Sequence, residues 1–147
     1  MTVVTVSRQL GSHGARIAKQ LAKDLGVAFA DKTLIDGVLR GYGLARLSKI
    51  YDETPSIWEL FDDDSTRTIQ MLDETMRAIA ARGDCVILRR GGFALFAGYA
   101  DALHVFVKAP LEQRARRIAR RDAMPAEEAL ARVSADDAMR AKFVRLF

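Results

Sequence analysis

The run Val3-Val4-Thr5-Val6 is β-branched, which predicts a strand. Polar residues and Gly11 end it. Apolar positions then recur as Ile17, Ala18, Leu21, Ala22 and Leu25, the stripe of an amphipathic helix, and Gly26 closes it. Val27 to Asp31 reads as a short strand with an acid at its carboxyl end, where open α/β sheets place their ligands. A brief helix over Lys32 to Arg40 follows, resting on Leu34, Ile35 and Leu39. From Leu44 to Asp64 no period holds, and the segment reads as a flap or small helical insert. Trp58 within it suits packing better than stacking on a base.

The pattern resumes with a long helix from about Ser65 to Arg82, striped by Ile69, Leu72, Met76 and Ile79. Cys85-Val86-Ile87-Leu88 is apolar without alternation, as a central strand covered on both faces should be. Phe93 to Tyr99 predicts a short helix or turn, and Leu103 to Val107 the next strand. Pro110 and Glu112 open a helix carrying Arg114, Arg116, Arg117, Arg120 and Arg121, which Met124-Pro125 interrupts. A short helix over Glu127 to Arg132 is expected next. Ser134 and Asp137, at capping-box spacing, then start a last helix with Met139 and Phe143 facing inward. Strands alternating with helices argue a parallel sheet covered on both faces.

The 147 residues, half of them hydrophobic, suit one domain over 1–147. A net charge of +4 fits anionic partners without singling out nucleic acid. Cys85 is the only cysteine, which excludes an internal disulfide and reads as a buried thiol. One cysteine and two histidines leave little from which to build a Cys/His metal centre or a catalytic triad. Apolar runs are too short to span a bilayer and the opening residues do not resemble a secretory signal, so a cytoplasmic location is expected.

The junction of first strand and first helix carries the clearest chemistry. Gly11-Ser12-His13-Gly14 between strand and helix is the arrangement in which loop N–H groups and a helix dipole converge on an anion. The full pattern would need a Lys and then a Ser or Thr after the last glycine, and here Gly14 is followed by Ala15 and Arg16. On spacing alone, an anion cradle and a tight turn without function both remain open.

Four segments together resemble the cytidylate kinase-like family, a branch of the phosphate-loop nucleoside monophosphate kinases. Val6 to Ala18 is similar to that branch's opening strand, Ser-Arg and glycine loop without the standard lysine. Leu25 to Ile35 resembles its second signature, and Cys85 to Gly91 its Val-Ile-x-Gly-Arg-Gly segment. His104 to Arg114 resembles the approach to an arginine-rich lid, and Asp137 with Arg140 the Asp-x-x-Arg beyond it. The resemblance implies a three-layer α/β fold with a parallel sheet in the order 2-3-1-4, the family's fifth strand being expected beyond Phe147. It also implies 41–64 as the monophosphate-binding insert and 112–137 as the lid region. The implied activity is transfer of the γ-phosphoryl group of ATP to a nucleoside monophosphate, with Mg2+ as cofactor. Gly14 stands at the lysine position, Ala15 at the hydroxyl position, His13 at a loop glycine and Arg89 at the glycine before Arg90.

Phosphoryl transfer calls for positive charge and N–H donors around the moving group. The backbone of Gly11, Ser12, His13, Gly14, Ala15 and Arg16 is the candidate donor cradle, with Arg8 or Arg16 standing in part for lysine. Asp31 could orient the acceptor or hold Mg2+ through water, or simply cap the next helix. Arg90, leaving a buried strand into glycines, is the candidate for the acceptor phosphate. Arg114, Arg117 and Arg121 share one helical face, and Arg117 and Arg121 are candidates for closing on the donor phosphates. Two other readings stay open: a nucleotide- or phosphate-binding or regulatory relative without turnover, and a binder of RNA or another polyanion. Nucleic acid is disfavoured by the absence of interleaved aromatic and basic residues. Without a fifth strand, 103–107 should be a sheet edge, covered by a C-terminal helix or by the second subunit of a homodimer.

Overall fold

The computed structural model describes residues 2–41, 63–88 and 92–145. Strand β1 (Val3–Arg8) is central, hydrogen-bonded in parallel to β3 (Cys85–Leu88) on one side and to β4 (Ala102–Val107) on the other. Strand β2 (Ala28–Ala30) extends the sheet beyond β3, giving the order β2-β3-β1-β4, all parallel. The runs at 3–6 and 85–88, apolar but for Thr5, are buried because helices cover both faces of the strands that carry them.

One face packs on helix α1 (Gly14–Leu25), where Val4, Val6, Val86 and Leu88 meet Ala18 and Ala22. The other packs on α2 (Lys32–Gly41), α3 (Asp63–Ala81) and α4 (Gly92–Leu95), with Val3, Cys85 and Ile87 against Ile35, Met76, Ile79 and Phe96. The result is the three-layer α/β fold of phosphate-loop kinases. A third cluster lies off the sheet. Ile118 of α5 (Leu111–Asp122) and Ala129 and Val133 of α6 (Ala126–Arg145) enclose a side of Leu10, in the glycine loop. Burying Ile118 and Val133 contributes about 1.5–3 kcal/mol each, so the two arginine-bearing helices are held to that loop by apolar packing as well as by charge.

Two expectations need correction. Ile17 and Leu25 are 48% and 56% exposed, because the buried ridge of α1 is the small-residue row Gly14, Ala18 and Ala22, which lets the helix approach the sheet closely. The two helices expected after Pro125 are one, Ala126–Arg145. Nothing between 126 and 145 is a glycine or proline, and Ser134 lies inside the helix instead of capping its start. Leu103 and Phe106 of β4 remain more than half exposed. Among the described residues β4 pairs with β1 alone. Arg89, Arg90, Gly91 and most of the 41–64 insert, Trp58 included, lie outside the described residues.

Candidate functional site

The glycine loop connects β1 to α1 at the carboxyl end of the central strand. Gly11 has φ +78°, and a Cβ there would lie 2.8 Å from the Arg114 carbonyl oxygen. Both the left-handed backbone and the close approach of α5 require glycine. Gly14, the first residue of α1, is constrained differently: a Cβ would lie 2.3 Å from Cβ of Arg8, whose side chain runs past the helix start. His13 caps α1 in the left-handed region at φ 63°, the conformation a glycine adopts freely. It is exposed, and its carbonyl accepts the Ile17 N–H at 2.9 Å.

Within the loop, Ser12 N–H donates to the Gln9 carbonyl at 3.2 Å and Gly14 N–H to Ser12 Oγ at 3.3 Å. The N–H groups of Gly11, His13, Ala15 and Arg16 have no acceptor among the described residues. They are unspent donors at the positive end of a 12-residue helix, the chemistry that recognises phosphate. Arg16 stands exposed on the first turn beside them.

Arginines from the two C-terminal helices surround the other side of the loop. Arg114 is 3% exposed, and its guanidinium forks onto Asp137 of α6 with N–O distances of 2.9 and 2.8 Å. Its Nε donates to the Ala109 carbonyl at 2.8 Å and Nη1 makes a longer bond to the Leu10 carbonyl at 3.4 Å. Arg117, one turn on, donates to the Gly11 carbonyl at 3.0 Å. Arg140 of α6 pairs with Asp136 and donates to the Arg8 carbonyl. The carbonyl of residue 8, at the end of β1, and those of residues 10 and 11 in the loop are thus each held by a different arginine.

The structure brings together Arg8, the Gly11-to-Arg16 backbone and Arg117. Arg121, expected on the same face, instead donates to Asp122 at 2.8 Å, and Arg132 joins that carboxylate. The hydrogen-bonded Arg121 guanidinium holds the Asp122 carboxyl below the usual carboxylate range, with Arg132 adding to the effect. Asp31 accepts the Leu34 N–H at 3.0 Å through Oδ1, an N-cap for α2. Its Oδ2 has no partner among the described residues. A magnesium ion on a nucleotide takes one or two carboxylates beside phosphate and water oxygens, and one carboxylate oxygen at Asp31 fits that need. Among the described residues no group of three His, Cys, Asp or Glu side chains could form an all-protein metal site.

Sequence reasoning missed Arg114, Asp136 and Arg140 as holders of the loop. The available signal was a pair of acids, Asp136 and Asp137, on the helix following an arginine-rich one.

Residues 3–147 match the model of the cytidylate kinase-like family. A cytidylate kinase from Ignicoccus hospitalis is 35% identical over 151 residues, spanning all of this chain and 81% of that protein. Another from Aeropyrum pernix is 36% identical over 146 residues, with 97% of this chain and 78% of the relative covered. Among solved structures, an uncharacterized protein from Eubacterium ventriosum has the same fold, with a TM-score of 0.72 at 18% identity over 100% of this chain and 78% of that one.

Proposed function

The chain belongs to the cytidylate kinase-like family, and on that footing we propose that it transfers the γ-phosphoryl group of ATP to a nucleoside monophosphate of the cytidylate type. The observation that carries the reading is the junction of β1 and α1, where unspent N–H donors and arginines meet in one place. Such a reaction needs little covalent help. It needs the transferring group held in line and its spread negative charge neutralised.

In this reading the N–H groups of Gly11, His13, Ala15 and Arg16 hold the donor's phosphate oxygens. Arg8 and Arg16 supply the positive charge that a lysine gives elsewhere, gripping through a planar fork. Arg117 exchanges the Gly11 carbonyl for a phosphate oxygen as charge develops, and Arg121 leaves Asp122 to join it. Arg90 binds the acceptor phosphate, and the free oxygen of Asp31 orients the acceptor or reaches a magnesium ion through water. Magnesium, were it bound, would be held through water by Asp31 and would supply charge neutralisation for the transferring phosphate.

Calorimetric titration of CMP beside a coupled ADP-release assay tests the proposal. Arg90→Ala should weaken CMP binding by roughly 1.5–3 kcal/mol, the scale of a lost charge-assisted hydrogen bond. Arg117→Ala should chiefly lower turnover with CMP still bound. No CMP heat and no ADP above a protein-free blank would overturn the kinase reading. One observation favours a second reading, a nucleotide binder without turnover: Ala15 has no hydroxyl for a metal and Gly14 no amine for a phosphate. ATP binding with no transfer would select it.

A further inference from the structure

The arginines nearest the glycine loop fall into two kinds. Arg117 is half-buried and makes one hydrogen bond among the described residues, to a carbonyl, whereas Arg114 is buried with its fork spent on protein atoms and cannot turn to a ligand without breaking an ion pair. We propose that Arg114 and Asp137 are positioning residues: their ion pair fixes the glycine loop against α5 and α6, and so sets the direction of the donors that receive phosphate.

The geometry supplies the reason. A trans peptide is planar, with its C=O and N–H on opposite sides. Leu10 O and Gly11 N–H share one peptide, so an arginine holding that carbonyl toward α5 turns the Gly11 N–H away from it. Arg117 on Gly11 O does the same for the next peptide, whose N–H is then taken by Gln9. Helix α5 cannot come closer to the loop, because the Arg114 carbonyl oxygen already lies 2.8 Å from where a Cβ of Gly11 would be. Nor can Arg114 swing, because Asp137 holds both ends of its fork from the next helix. Leu10, seated against Ile118, Ala129 and Val133, closes the same joint with apolar contact. Asp137 thereby influences the phosphate cradle from α6 without touching it.

The inference deepens the kinase reading in its functional consequence and rests on it there; the joint itself can be tested without nucleotide. Amide hydrogen exchange of Ser12 and Gly14, both hydrogen-bonded inside the loop, reports local opening. Exchange at Val86 and Ile87 in β3 reports global stability. In Asp137→Asn the amide oxygen still accepts from Arg114 and the Ala109 and Leu10 bonds remain, so the global loss should be far smaller than in Arg114→Ala. The loop amides should exchange about tenfold faster than in the native protein, clearly more than the β3 amides do. Arg114→Lys, which keeps the charge and loses the fork, should accelerate the loop amides by a smaller factor. It serves in place of Asp137→Asn if that variant does not fold. Glu112→Gln, at an exposed pair on the opposite side of α5, should leave both sets unchanged. If loop and β3 amides accelerate together, or neither moves, the pair is merely structural and the proposal falls. ADP titration adds the functional arm: affinity should fall about fivefold or more in Asp137→Asn while CMP affinity holds. A native protein that binds no ADP would remove the kinase reading, leaving the exchange result to decide the joint.

Discussion

Arg114 and Arg116 stand two residues apart on one helix and differ in almost everything else. Arg114 is 3% exposed and makes a two-armed contact with Asp137 at 2.8 and 2.9 Å. The side chain of Arg116 is 71% exposed and sits 3.8 Å from Glu112. Two steps along a helix turn a side chain through about 200°, so one arginine faces the glycine loop and the other faces water. A row of arginines read as a basic patch is therefore two devices, an anchor and a solvated face. The anchor is costly to remove because a buried charge has to be matched, while the solvated pair competes with water and salt.

The largest expected effect breaks the anchor. Arg114→Ala strands Asp137 and leaves the Ala109 carbonyl unpaired, and should cost about 3 kcal/mol, the lower end for a broken buried pair because Asp137 is 28% exposed. Arg116→Ala should change stability by less than about 0.5 kcal/mol. Urea unfolding of both variants checks the contrast; equal losses would show that burial does not separate the two arginines.

Next in size is the loop they hold. Gly14→Ala drives a methyl against Cβ of Arg8, and that atom cannot rotate away. The strain should cost about 1–3 kcal/mol and reduce affinity for ADP. Gly83→Ala, at φ +146° with open space around its Cβ position, separates backbone strain from crowding. Denaturation and calorimetry on both variants should show nucleotide affinity lost in the first alone.

Much of this could be read from the chain. The all-apolar run of Cys85 to Leu88 gives a central strand because only a strand covered on both faces tolerates such a run. Strand–glycine–helix order gives the loop at 9–14, and helical period gives Met76 and Ile79 as core. Other features depend on tertiary context. Ser134 has the chemistry of a cap and lies mid-helix, because the Ala-rich segment around it continues to propagate. A guanidinium forks onto a phosphate and onto a carboxylate by the same geometry, so no spacing rule separates Arg114 from Arg117. Only the fold, by placing Gly11 under α5 and Asp137 across from it, does so.

A smaller effect sharpens the comparison at the two ends of the same joint. His13 and Ala123 both hold left-handed backbone, at φ 63° and 50°. Glycine there removes the steric cost of about 1 kcal/mol, against a loss of about 0.4–1 kcal/mol from a freer unfolded chain. Ala123→Gly and His13→Gly should thus be neutral or slightly stabilising in thermal unfolding. Most exchanges to glycine inside a helix destabilise. A clear loss at position 13 would show that the imidazole makes a contact worth more than the strain.

The smallest effect concerns the solvated end of α5, where Arg121 and Arg132 share Asp122. The paired carboxyl titrates below its ordinary value of 3.8, chiefly because Arg121 donates a hydrogen bond to its charged form. A carboxylate whose folded value is depressed adds stability above its unfolded value and loses it as pH falls through the folded one. Asp122→Asn should therefore melt slightly below the native protein at neutral pH. The gap should close as the buffer is acidified below 3.8, where the native carboxyl takes up its proton. Salt should narrow the gap at neutral pH as well, because the pair lies at the surface. Melting temperatures across that acid range, at low and high ionic strength, provide the check. A gap that persists unchanged in acid would mean that Asp122 acts through shape and not charge. In that case the difference between the anchored and solvated arginines would rest on Arg114 and Asp137 alone.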